Sequence, residues 1–193
     1  MKRIGIFGGS FNPPHYGHLL LAETCANKLN LDSVIFIPAY ISPHKRSETN
    51  DVRARLDMIK LACNGNKRFD VSTVEIEKKG LSYTVETLEI YKRLYGGKSV
   101  FYLLMGEDSY MELDTWKDHK RLFSLAKIVV VRRPGSKKKK GFTNVRTIEM
   151  APIGISSRQI RGMVRSQASI RYMVPEAVRG YILRHRLYAR KTS

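Results

Sequence analysis

The apolar run Ile4-Gly5-Ile6-Phe7 leads straight into Gly8-Gly9-Ser10-Phe11-Asn12-Pro13-Pro14-His15-Tyr16-Gly17-His18. Buried-type residues followed by a glycine pair read as a strand that ends in a tight turn. From Gly17 to Leu29 the apolar residues Leu20, Leu21, Cys25 and Leu29 recur at helical spacing, so a helix begins near the second histidine. A strand, a glycine-rich turn and a helix N-terminus together make an anion site, because backbone N–H groups point outward and the helix dipole favours negative charge. His15 and His18, three apart, can serve the same phosphate. The dinucleotide fingerprint G-x-G-x-x-G and the P-loop ending G-K-[ST] are both absent from this turn.

The ten residues Gly9-Ser10-Phe11-Asn12-Pro13-x-His15-x-Gly17-His18 resemble the signature of the HxGH nucleotidyltransferases, and the G-S-F-[DN]-P form is most similar to the bacterial nicotinate-nucleotide adenylyltransferases. A second stretch, Ile155-Ser156-Ser157-Arg158-Gln159-Ile160-Arg161, resembles the other signature of that superfamily, with Arg158 where a small hydroxyl residue is commoner. The resemblance implies an enzyme that joins the AMP part of ATP to nicotinate mononucleotide, releasing pyrophosphate. It also implies Mg²⁺ carried on the ATP phosphates; with no Cys or carboxylate beside His15 and His18, no metal held by protein side chains is expected.

The fold expected is α/β: a Rossmann-like, doubly wound, mostly parallel sheet with helices on both faces and a small C-terminal helical part. Residues 1–193 are read as one nucleotidyltransferase domain, long enough to bury about 70% of the unfolded surface. Ser33–Pro38 is a second buried-type strand, so the opening is a βαβ unit. Pro43-His44-Lys45 follows it, leaving from the sheet edge where ligands bind in such folds. A helix capped by Asn50 or Asp51 runs to Cys63, with Val52, Leu56, Ile59 and Ala62 or Cys63 on its inner face. Phe69–Ile76 alternates as a strand with one wetter face, and Ser82 is placed to cap the next helix. Ser99–Leu104, Lys127–Val131 and Asn144–Met150 are the remaining strands. Pro175 opens a last helix, at its first position, that ends near Leu187-Tyr188.

Function attaches to these elements through the resemblance. His18 and His15, with Lys45 and Arg161, form the implied catalytic set. The implied ATP site adds Gly8, Gly9, Ser10, Phe11, Gly17, His44, Gly106, Asp108, Arg133, Ile155, Ser156 and Ser157. The implied pyridine nucleotide site takes Ser10, Phe11, Lys45, Tyr83, Thr84, Trp116 and Lys117. Leu81–Thr87 is similar to the family's S-Y-T-x-x-T-L element, whose helix start receives the pyridine carboxylate. Asp114 stands where proline is common in the family, and Lys117 where an aromatic is frequent.

Charge is uneven: residues 1–116 carry 15 Lys+Arg against 14 Asp+Glu, and residues 117–193 carry 20 against 3. Such a split invites a nucleic-acid reading, but a triphosphate enzyme needs positive fields as well. A nucleic-acid partner is therefore not expected. Lys137–Lys140 reads as a solvated loop. No stretch is apolar enough to span a membrane, and Cys25 and Cys63, with no C-x-x-C spacing, read as buried thiols of a cytoplasmic protein. Whether the chain forms a homo-oligomer is left open. The competing acceptors are nicotinamide mononucleotide, phosphopantetheine, whose enzymes usually have Thr in place of His15, and a polyol phosphate taking a cytidylyl group. A basic nucleic-acid binder without turnover and a nucleotide sensor are the readings from other classes.

Overall fold

The computed structural model describes residues 1–43, 51–132, 144–151 and 153–190. Six strands form one sheet in the order β3-β2-β1-β4-β5-β6, every pair parallel. They are β1 (Lys2–Gly9), β2 (Ser33–Pro38), β3 (Phe69–Val71), β4 (Ser99–Gly106), β5 (Lys127–Arg132) and β6 (Val145–Glu149).

Strands of a sheet covered on both faces must be apolar on both. In β4, Tyr102 and Leu104 enter one core while Phe101, Leu103 and Met105 enter the other. β2 and β5 divide likewise, with Val34 and Phe36 against Ile35 and Ile37, and Val129 and Val131 against Ile128 and Val130. Helices α1 (Tyr16–Lys28), α2 (Val52–Cys63), α7 (Ser157–Arg165) and α8 (Glu176–Arg184) supply the first core. Helices α4 (Thr84–Tyr95), α5 (Glu107–Met111) and α6 (His119–Leu125) supply the second. The chain therefore winds outward from β1 through β2 to β3, then crosses to β4 on the opposite side of β1. The crevice between β1 and β4 is the topological switch point, where open α/β sheets bind ligands.

Several local expectations are corrected. The strand at Phe69 stops at Val71, and Val74–Lys78 forms a short helix, α3. The hydroxyls there turn the backbone: Ser72 Oγ accepts from Val74 N–H at 3.3 Å, and Thr73 Oγ1 bonds Glu77 at 2.5 Å. Ser82 does not cap α4; Tyr83 is the N-cap, and Ser82 Oγ accepts from Tyr40 N–H at 2.9 Å. Asp51 caps α2 by accepting from Ala54 N–H, but its buried face also carries Ala54, Arg55 and Met58, with Leu56 only half-buried. Pro175 is the N-cap of α8 rather than its first residue, and that helix ends at Arg184. Cys25 and Cys63 are buried free thiols, and burial pushes both up to about 12. Among the described residues no helix is long and apolar enough to cross a membrane.

Candidate active site

The turn after β1 is held by hydrogen bonds to its carbonyls. Gly9 O accepts from Ala39 N–H at 3.0 Å, and Ser10 O from the Arg55 guanidinium at 2.9 Å. Asn12 O accepts from Arg161 Nη1 at 2.8 Å, and Pro13 O from Ser157 Oγ at 2.8 Å. Asn12 Oδ1 receives the Tyr188 hydroxyl at 2.5 Å. In a trans peptide the N–H points opposite to the preceding carbonyl. Holding the carbonyls of Gly9 and Ser10 against the protein therefore turns the N–H groups of Ser10 and Phe11 the other way.

Two glycines stand where a side chain would be crowded. Phe11 sits at φ 47°, a sparsely populated region for a side-chain-bearing residue. Its ring is fixed against Phe7, Phe36 and His18, with centroids 5.5, 5.7 and 5.2 Å away. A Cβ on Gly9 would lie 3.1 Å from that ring. A Cβ on Gly17 would lie 3.0 Å from the His15 ring and 3.7 Å from Ile155 O. The helix start after β1 and the segment before α7 therefore lie within van der Waals reach, tied by the Ser157 and Arg161 bonds to the turn. The two signature stretches, far apart in sequence, thus meet.

His15 and His18 stack with centroids 3.7 Å apart and an interplanar angle of 24°. The His15 N–H donates to His18 Nδ1 at 3.3 Å. With Nδ1 acting as an acceptor, the ring proton of neutral His18 resides on Nε2. His15 is only 6% exposed, and burial lowers its imidazole from the ordinary 6.5 to about 4. At neutral pH it can offer a hydrogen bond but no fixed positive charge.

That burial has a consequence for stability. The unfolded chain binds a proton on this ring near pH 6.5, the folded one only near pH 4. The contribution of neutral His15 is complete above pH 6.5 and is lost as the pH falls toward 4. Urea midpoints measured from neutral pH down into this window should fall more steeply for the wild type than for His15→Gln. Parallel curves would refute the assignment.

A cleft of about 1170 Å³ opens over the β1–β4 crevice. Gly8, Gly9, Ser10, Phe11, His15, Gly17 and His18 line it from one side, and Ile155, Ser156, Ser157, Arg158 and Arg161 from another. Gly106 and Asp108 reach it from the end of β4, while Tyr83, Thr84, Trp116 and Lys117 close a third wall. Ser156 Oγ accepts from Gln159 N–H at 3.2 Å and caps α7 as its motif suggests. Trp116 is half-buried, packing against the second core and facing the cleft at once. Lys117 Nζ bonds Glu86 Oε1 at 2.7 Å and stands 4.5 Å from the centroid of the Tyr83 ring. His44, Lys45, Arg133 and Lys137–Lys140 lie outside the described residues. Among the described residues no three His, Cys, Asp or Glu stand together as a metal site.

Two cleft or near-cleft residues, Arg55 and Glu75, escape the sequence reading, while a third, Arg132, belongs to the family-like stretch Arg132-Arg133-Pro134-Gly135. Arg132, at the end of β5, pairs with Glu107 at 2.8 Å. Arg55 is 2% exposed and donates to both Ser10 O and Tyr40 O, although a helical arginine reads as solvent-facing. Glu75, 8% exposed, lines the cleft, although the alternation of Phe69–Ile76 reads as a strand. Neither Arg55 nor Glu75 has a local signal, because each is engaged by partners distant in sequence.

Comparison with known proteins agrees with this geometry. The cytidylyltransferase-like family model matches residues 6–163. A probable nicotinate-nucleotide adenylyltransferase of Exiguobacterium sibiricum is 40% identical over 189 residues, covering 97% of this chain and 99% of the relative. One from Thermus thermophilus is 41% identical over 186 residues, covering 96% and 99%. Among solved structures, Plasmodium falciparum nicotinic acid mononucleotide adenylyltransferase complexed with NaAD superposes with a TM-score of 0.82. It is 20% identical and covers 97% of this chain and 98% of its own, a likeness that bears on fold. Similarity that runs end to end and takes in both converging signatures is descent: the chain belongs to the nicotinate-nucleotide adenylyltransferase family of cytidylyltransferase-like proteins.

Proposed function

We propose that this chain, acting as one domain over residues 1–193, transfers the adenylyl group of ATP to nicotinate mononucleotide, giving nicotinate adenine dinucleotide (deamido-NAD) and pyrophosphate in NAD biosynthesis. The observation that carries this reading is the junction of the two signatures, with Ser157 and Arg161 bonded to the carbonyls of Pro13 and Asn12.

The acceptor's phosphate oxygen forms a bond to the α-phosphorus as the bond to the bridging oxygen of pyrophosphate breaks. The attacking phosphate is already anionic, so the reaction asks for positioning and charge stabilisation rather than a general base. In this reading His18 Nε2–H donates to the α-phosphate as charge builds there, and His15 orients it through the stack and its N–H. The N–H groups of Ser10 and Phe11 and the start of α7 receive phosphate oxygens. Arg161, Lys45 and His44 serve the β- and γ-phosphates, and Gly106, Asp108 and Arg133 the nucleoside. Tyr83 and Thr84 at the start of α4, with Trp116 and the backbone of residue 117, take the pyridine. A divalent cation arrives on the triphosphate as part of the substrate, and we assign it as Mg²⁺, which favours phosphate oxygens and keeps several waters. It shields the triphosphate's charge.

Pyrophosphate release from ATP should proceed with nicotinate mononucleotide and more weakly with nicotinamide mononucleotide. Release with phosphopantetheine or a polyol phosphate instead, or tight polyanion binding with no turnover at all, would overturn the reading.

A further inference from the structure

Glu75 is a buried carboxyl with hydroxyl partners on either side. Thr87 Oγ1 lies 2.6 Å from Glu75 Oε1 and 3.3 Å from Tyr83 O, and the Ser82 hydroxyl bonds the same carboxyl. Ser82 Oγ in turn accepts from Tyr40 N–H at 2.9 Å, just past the end of β2. No ammonium or guanidinium is paired with Glu75 among the described residues. Lys78 is near, but its amine is bonded to Glu86.

Each hydroxyl has one proton to give. With Glu75 uncharged, the donors run in one direction: Tyr40 N–H to Ser82, Ser82 O–H to Glu75, Glu75 O–H to Thr87, Thr87 O–H to Tyr83 O. With Glu75 ionised, both hydroxyls turn toward the carboxylate and the bond from Thr87 to Tyr83 O is lost. Tyr83 is the N-cap of α4, whose first turn has no side-chain cap. The same ionisation would set a negative charge beneath a helix start that favours anions. Burial without a directly paired cation disfavours that charge: desolvation raises the Glu75 carboxyl, opposed by the Thr87 and Ser82 hydrogen bonds and by Lys78.

We propose that Glu75 is a positioning residue that, through Thr87 and Ser82, fixes the start of α4 for an anionic pyridine and thereby sets the preference of the cleft for the acid over the amide nucleotide. This rests on the functional reading above. The relay links the segment after β2 to the wall formed by Tyr83 and Thr84, so one buried carboxyl orders the acceptor end of the cleft while leaving the triphosphate end alone.

The test compares wild type with Glu75→Gln, Glu75→Leu and Thr87→Val, using ATP with nicotinate or nicotinamide mononucleotide. Gln is neutral and can accept from Ser82 and donate to Thr87, so it should keep the acid-to-amide ratio within about twofold. Leu and Val break the relay and should raise the KM for the acid about tenfold, the size of one lost hydrogen bond, with kcat and the KM for ATP little changed. If Glu75→Leu does not fold, Thr87→Val carries the test. Loss of preference in the Gln variant as complete as in Leu, or retention of preference in Val, overturns the proposal. Equal weakening of acid, amide and ATP, the mark of general damage, overturns it too. Those failures leave the functional reading standing; a wild type that turns over neither pyridine nucleotide removes both.

Discussion

Replacing His18 by alanine should lower kcat by about 10²–10³-fold while changing the KM for ATP far less, the pattern of a donor that matters most when charge develops. The expectation follows from how the ring is held. His15 stacks on it at 3.7 Å, Phe11 meets it at 5.2 Å and Phe7 at 6.1 Å between centroids. The His15 N–H occupies Nδ1. Rotation is blocked by packing and the tautomer is set by the backbone, so Nε2–H is aimed before substrate arrives. A preorganised donor needs no reorientation during the reaction, and that makes it worth roughly 3–4 kcal/mol in a site shielded from water. A His18→Ala protein that folds normally and keeps its kcat in a pyrophosphate-release assay would remove His18 from the chemistry.

What the sequence discloses is whatever repeats locally. β1, β2, β4 and β5 are legible because each is a continuous apolar run, the pattern a two-sided sheet imposes. The turn between β1 and α1 is legible because its glycines and histidines stand together in one stretch: a Cβ on Gly17 would crowd the His15 ring at 3.0 Å. α7 could be placed because Ser156 caps it locally. What stayed hidden is held by partners distant in sequence. Alternation across Phe69–Ile76 fits a strand, yet only Phe69–Val71 pairs with β2, and Ser72 and Thr73 bend the chain into α3. That bend carries Glu75 inward to Thr87, which no periodicity announces. Ser82 looked like a helix cap, but its oxygen is engaged by Tyr40, 42 residues away. The fold could be read from the strands; the supports of the cleft could not.

Arg55 is the clearest of those supports, and its removal should be the most destabilising single change near the cleft. Its guanidinium donates to Ser10 O at 2.9 Å and to Tyr40 O at 3.0 Å, so one side chain of α2 ties the turn after β1 to the segment after β2. Two effects oppose each other. Burying the charge is unfavourable, and that desolvation lowers the guanidinium from its ordinary value, with Tyr188 and Asp51 opposing the shift. Truncation relieves that penalty but takes the donor from two half-buried carbonyls, at about 1 kcal/mol each, and leaves the cavity of a long side chain. The orphaned carbonyls and the cavity outweigh the relief, and Arg55→Ala should lose about 2–5 kcal/mol. A fall in the urea midpoint with an unchanged m-value would report it. Arg55→Lys should recover less than half, because a single ammonium lacks the planar fork that reaches two carbonyls at once. Both variants should also raise the KM for substrate, since the two tied segments border one cleft. Full stability in the lysine variant would show that charge alone, and not the fork, holds the two segments together.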